Sequence, residues 1–188
     1  MTILGLDLSA RAAAAVAVPR EWDGVWRRVK TLVVGEALGR DATDRDRALR
    51  CIYIAEQIVG FARRQAVTHA WIEGYAFSQH TAAHTIAEVG GVVRAELLRA
   101  GIEIRTANMS TARKLLLGKL PPRRTADEKA GKVKKPTAKD AVVEALRMAG
   151  AAFRTVDEYD GFTAANFGMS EIGGFFYGQV LPDTKKRK

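Results

Sequence analysis

A mixed α/β sheet of five strands with helices on both faces is predicted by two features of this 188-residue chain. Three short apolar runs follow one another before residue 40, the spacing of an antiparallel meander. Beyond them helical and strand-like patterns alternate, as they do when helices pack over a sheet. The apolar share of 47% is that of an ordinary globule, and the length suffices for one domain with a real core.

The opening runs are residues 2–8, "AAAAVAV" at 12–18 and "RVKTLVVGEAL" at 28–38. "DATDRDRALRCIYIAEQIVGFARRQ" then offers Thr43 or Asp44 as a cap, with Leu49, Ile52, Ile58 and Phe61 at helical spacing. Its Cys51 is the sole cysteine, which rules out an internal disulfide and an all-cysteine metal cage and reads as small core filler. "THAWIEGY" (68–75) is a short buried strand. Residues 81–101 form a helix that ends at Gly101, and its Gly90–Gly91 pair lets a neighbour approach closely. "IEIRTAN" (102–108) is the fifth strand, followed by "STARKLLLG", a short capped helix. "KLPPRRTADEKAGKVKKP" (119–136) holds three of the five prolines and seven basic residues against two acidic ones, so it is a basic loop insertion. "TAKDAVVEALRMAG" (137–150) restores helical periodicity. "VDEYDGFTAANFGMSEIGGFFYG" (156–178) is a last helix, glycine-rich for its length, and residues from about 183 to 188 are a disordered basic tail. The order β-β-β-α-β-α-β-α is that of the RNase H-like fold.

Thirty Lys and Arg oppose 21 Asp and Glu, a net charge of +9. Such a surplus favours a polyanionic partner, nucleic acid before an anionic membrane surface. No apolar run reaches the roughly 18 residues of a membrane span, and the N-terminus lacks a charged-then-apolar leader. A cytoplasmic protein is expected, in the host cell if the chain is phage-encoded.

The first strand, "ILGLDLS" at 3–9, is apolar enough to be buried on both faces, yet it contains Asp7. A lone carboxylate there is costly unless charge or hydrogen bonds meet it. Glu73 closes a second apolar strand, after Ala70, Trp71 and Ile72, so two buried strands can set their carboxylates side by side. Asp157 and Asp160 lie three apart on the last helix and share a face, while Glu158 points elsewhere. Four converging carboxylates repel, and some keep their protons, unless cations intervene. Mg²⁺ suits them: it takes oxygen ligands, and two ions about 4 Å apart can activate water and stabilise a phosphodiester's leaving oxygen. A purely structural alternative pairs Asp7 with backbone N–H groups or Arg11, makes Asp157 an N-cap and gives Glu158 to the helix dipole. All four acids, in these elements of a basic chain, favour the metal site.

With "ILGLDLS", "WIEGYAFSQ", "EVGGVVRAELLRAGIEIRTANMSTARKLLLG", "KPTAKDAVVEAL" and "DEYDGFTAANFG" in this order, the chain resembles the RuvC-type Holliday junction resolvases, in particular their phage relatives. The resemblance spans almost the whole chain. It implies that Asp7, Glu73, Asp157 and Asp160 are the catalytic carboxylates, which fits the pair of Mg²⁺ ions read from their chemistry, with the choice between Mg²⁺ and Mn²⁺ left open. It implies DNA contact by the basic residue of "TARKLLLG", Arg113 or Lys114. Lys139 falls near the scissile phosphate, where a catalytic lysine could neutralise charge in the transition state. Tyr75, Ala76 and Phe77 correspond to an aromatic wedge near the crossover, with Phe77 stacking on an opened base, worth roughly 1–3 kcal/mol. A homodimer is implied whose two sites cut opposed strands of a four-way junction, leaving 5′-phosphate and 3′-hydroxyl ends. Residues 119–136 depart from the compact bacterial pattern. Their Arg123, Arg124, Lys132, Lys134 and Lys135 are candidate phosphate contacts that would broaden preference toward other branched DNA.

Rival functions are a noncatalytic junction-binding module, an actin- or sugar-kinase-like ATPase, and a nuclease of flaps or RNA–DNA hybrids. A binding module gains nothing from carboxylates facing phosphates, and the ATPases need a second lobe. Hybrid and flap nucleases share the chemistry and differ in substrate shape. Other residues read as structure. Trp71 is core, and Trp22 and Trp26 cover a sheet edge. His80, His84 and Glu88 form a surface or DNA-facing row rather than a transition-metal site. Ile86, Val89, Val93 and Leu97 are core, dimer seam, or both.

Overall fold

In the computed structural model, residues 1–9, 12–35, 38–39, 41–74, 83–121 and 136–174 are described. Five strands form one mixed sheet: β1 (Thr2–Leu8), β2 (Ala13–Pro19), β3 (Lys30–Val34), β4 (Val67–Glu73) and β5 (Glu103–Ala107), in the spatial order β3-β2-β1-β4-β5. The meander β1-β2-β3 is antiparallel, whereas β4 and β5 run parallel to β1. This is the predicted RNase H-like arrangement.

The described helices are α1 (Asp44–Arg64), α2 (Ala83–Arg99), α3 (Met109–Leu117), α4 (Ala138–Met148) and α5 (Val156–Glu171), with one 3₁₀ turn at Trp26–Arg28. That turn consumes the start of the run read as strand 28–38, so β3 begins at Lys30. Thr43 caps α1, Thr137 caps α4 and Thr155 caps α5, each in a reciprocal capping box with the acid three residues on. Asn108 caps α3, one residue before the stretch "MSTARKLLL".

Alternation along β1 sorts the core into two. Leu4, Leu6 and Leu8 join Ala13, Ala15 and Ala17 of β2 beneath α1 and α2, with Ile54, Ile58, Val89, Val93 and Leu97. Ile3 joins Val16, Val18 and Trp71 beneath α3, α4 and α5. Val89, Val93 and Leu97 are therefore intramolecular core. On α1 the buried side runs through Cys51, Ile54, Ala55 and Ile58, so Leu49 and Ile52 face solvent, contrary to the sequence reading.

Trp22 is more than an edge cover. It is fully buried and meets Phe162 edge-on at 5.4 Å, while Trp26 donates to the Ala149 carbonyl at 2.7 Å. These two rings lock the β2–β3 connection to the far face of the sheet.

Among the glycines described, close backbone approach occurs at Gly5, Gly161 and Gly168. A Cβ at Gly91 would meet nothing within 4 Å among the described residues. At Gly5 it would lie 1.9 Å from the Gly161 carbonyl oxygen, and at Gly161 2.9 Å from a Val16 methyl. At Gly168 it would lie 2.4 Å from the Trp71 ring. Gly5 of β1 and Gly161 of α5 thus let the last helix lie directly on the central strand. This contact sets the position of everything at the helix N-terminus.

Candidate active site

Asp7 is the penultimate residue of β1 and lies on the α5 side, the parity of Ile3 and Gly5. The β1–β2 turn behind it is closed by Ser9, whose hydroxyl donates to the Ala12 carbonyl at 2.7 Å. The serine of "GLDLS" therefore serves the hairpin. Glu73 ends β4, the parallel neighbour of β1, one step past the Leu6–Ile72 pairing. Two adjacent parallel strands thus carry their carboxylates to the same sheet end.

The glycine contact then brings in α5. Asp157 and Asp160 sit in its first turn and a half, where the positive end of the helix dipole favours acids. Glu158, between them, is turned away. Its carboxylate accepts from the Arg154 and Thr155 amides at 2.8 and 2.7 Å, which with the Thr31 hydroxyl outweighs burial and holds its pKa low. Thr155 is the cap, so Asp157 is free of the capping role in the structural alternative. Arg11 lies outside the described residues.

Two cations enter this acidic end. The Lys139 ammonium, in the first turn of α4, lies 2.5 Å from Asp160, 3.5 Å from Asp157 and 3.9 Å from Asp7. Arg113, from α3, donates to the other oxygen of Asp160 at 3.0 Å. Asp160 is almost wholly buried, with a side-chain exposure of 2%, against 18% for Arg113 and 35% for Lys139.

One lysine does not neutralise the cluster. Burial pushes the Asp7 carboxyl up to about 8, and Glu73, Asp160 and Asp157 add repulsion that Lys139 only partly offsets. Burial alone would depress the Lys139 ammonium, but its hydrogen bond and charge contact with Asp160, then Asp7 and Asp157, raise it instead. Among the described residues the site therefore gathers more acids than cations around its oxygen donors. That donor set is the kind hard divalent ions take. Among the described residues no three His, Cys, Asp or Glu side chains form a ready-made ligand cluster.

Of the other predicted residues, Lys114 is exposed on α3 beside Arg113, and His84 is exposed on α2. Tyr75, Ala76, Phe77, His80, Arg123, Arg124, Lys132, Lys134 and Lys135 lie outside the described residues, as do most of the insertion and the tail. Sequence reasoning missed the Gly5–Gly161 contact and the inward turn of Arg113. A glycine inside a buried strand, facing a glycine-rich helix, was the available signal for the first. Among the described residues no helix is long and apolar enough to cross a membrane.

No protein-family model and no curated protein sequence matches the chain. Solved structures do. Thermus thermophilus RuvC superposes with a TM-score of 0.61 at 15% identity, covering 93% of this chain and 98% of the other. The T. thermophilus RuvC in complex with a Holliday junction substrate gives 0.61 at 14% identity, covering 96% of each chain. The chain has the fold of RuvC, from its first strand to its last described helix.

Proposed function

We propose that the protein is a divalent-metal-dependent endonuclease that resolves four-way DNA junctions by paired phosphodiester cleavage. The observation that carries this reading is the gathering of Asp7, Asp157 and Asp160 within 4 Å of one ammonium, in surroundings whose burial pushes the Asp7 carboxyl well above the usual carboxylate range. Such a cluster costs stability, and a cation-assisted reaction on a phosphodiester accounts for it. The +9 charge and a fold shared with a protein solved on a Holliday junction favour branched DNA as the substrate.

Asp7, Glu73, Asp157 and Asp160 would hold Mg²⁺, two ions per site, with Mn²⁺ as substitute. Such ions generate a nucleophile near neutral pH and neutralise charge on the reacting phosphate. The chain's own residues do the rest. The carboxylates of β1 and β4 fix one side of the reacting centre and those of α5 the other. Lys139, the more exposed of the two cations described at the site, can turn its charge to a phosphate oxygen as negative charge develops. Arg113 holds Asp160 through that movement.

Lys114, with Arg123, Arg124, Lys132, Lys134 and Lys135, supplies phosphate contacts, and Tyr75 and Phe77 stack on bases opened at the crossover. A homodimer acting in the cytoplasm would set two such sites across one branch. Binding should then fall steeply with salt, as counterions released from phosphates are restored.

The test is cleavage of an end-labelled four-way junction beside duplex, flap, fork and RNA–DNA hybrid, in Mg²⁺ and in EDTA. Symmetric nicks on opposed junction strands, abolished by EDTA, are expected. Preferential cutting of flap or hybrid would keep the chemistry and change the substrate. Tight junction binding without any cutting would leave a noncatalytic binding module.

A further inference from the structure

We propose that Lys139 is an autoinhibitory counter-ion, lodged among the carboxylates a divalent cation must use, and that Arg113 is the positioning residue that holds Asp160 when Lys139 leaves. The inference rests on the nuclease reading only for the purpose of the site; the competition itself follows from the contacts.

Both oxygens of Asp160 are already engaged, Oδ1 by Arg113 and Oδ2 by Lys139. Lys139 also lies within 4 Å of Asp157 and Asp7, so one ammonium touches three of the four proposed ligands. A cation cannot draw these oxygens together while that ammonium stands between them.

The two protein cations are not equivalent. Arg113 projects from α3, whose Ala112 and Leu116 are buried against the last helix, and its own side chain is 18% exposed. Its Nε is enclosed, with no hydrogen-bond partner among the described residues. A rigid, planar guanidinium so confined holds its carboxylate in one place. Lys139 instead sits in the first turn of α4, where the positive end of the helix dipole disfavours a cation. It is 35% exposed and has a flexible stem. It is the member that can leave.

The experiment is Mn²⁺ binding to the DNA-free protein, read from the electron paramagnetic resonance signal of the free ion at fixed pH and ionic strength. Lys139→Ala and Lys139→Gln are expected to bind Mn²⁺ about tenfold more tightly than wild type, because a competing charge has gone. Two substitutions guard against one that fails to fold, and a melt in EDTA checks each. Lys30→Ala, which removes an exposed cation at the far end of the sheet, is expected to leave the affinity unchanged. Arg113→Ala is expected to weaken Mn²⁺ binding, with Arg113→Lys recovering part of it.

Unchanged or weaker binding in folded Lys139 variants would overturn the proposal, as would equal tightening by Lys30→Ala, which would make the effect one of net charge. Tightening by Arg113→Ala would make Arg113 a second competitor and overturn its positioning role. Junction cleavage in Mg²⁺ is measured separately. A protein that cuts nothing, yet binds Mn²⁺ more tightly without Lys139, would lose the nuclease reading and keep the counter-ion.

Discussion

The two faces of β1 are built on different terms. On one, Leu4, Leu6 and Leu8 bury apolar side chains against α1 and α2, and every contact there favours folding. On the other, Ile3 gives way to Gly5, which admits the α5 backbone, and then to Asp7, a carboxyl that is 7% exposed among its own kind. Residues one position apart thus meet opposite surroundings, an apolar core on the even face and a cluster of carboxylates on the odd. A strand can carry so costly a group because its neighbours on the reverse side offset the cost.

The comparison sharpens first at Asp7. Asp7→Asn is expected to cut a junction at least about 1,000-fold more slowly, the equivalent of roughly 4 kcal/mol of lost transition-state stabilisation. Single-turnover cleavage would show it. Leu6→Ala, one residue away, is expected to do the reverse. It should cost about 2–5 kcal/mol of stability by urea denaturation, with cutting per folded molecule preserved at a permissive temperature.

Gly161→Ala should breach the division, because the added methyl meets Val16 of β2 and the Gly5 carbonyl of β1 and pushes α5 off the sheet. A loss of about 1–3 kcal/mol is expected together with a fall in cleavage, since Asp157 and Asp160 move with the helix. Lost stability with full activity would show that the acids do not depend on the glycine contact.

The smallest effect is on pH. Folding raises the Asp7 pKa to about 8, so it favours the protonated carboxyl. Its contribution is complete below the ordinary carboxylate range and is lost as pH rises through about 8. The urea midpoint of EDTA-treated wild type should therefore decline from pH 5 to 8.5 more than that of Asp7→Asn. Metal binding near pH 7 should release protons, measurable by calorimetry in buffers of different ionisation enthalpy.

What could be read from the sequence was what periodicity and local chemistry encode. The five strands, the caps at Thr43 and the acids of β1 and β4 follow from alternation and from one carboxylate set in each apolar run. Three things were hidden because they depend on tertiary contact. Leu49 and Ile52 carry the right spacing, yet the face that meets the sheet and α2 runs through Cys51, Ile54, Ala55 and Ile58. Of the Gly90–Gly91 pair, Gly91 has open space beside it, whereas Gly5 and Gly161 approach closely across 156 residues of chain, with no local signal linking them. Arg113 reads, with Lys114, as a candidate DNA contact on a short helix, and only the packing of α3 on α5 turns it to Asp160.

The most direct test of the divided strand is a paired measurement on Asp7→Asn: its urea midpoint in EDTA at pH 8, and its cleavage of a four-way junction in Mg²⁺. A midpoint at or above that of wild type, with cutting abolished, is expected of a carboxyl kept for reaction at the expense of stability. A lower midpoint with cutting retained would contradict this, and would make Asp7 a structural anchor of the sheet.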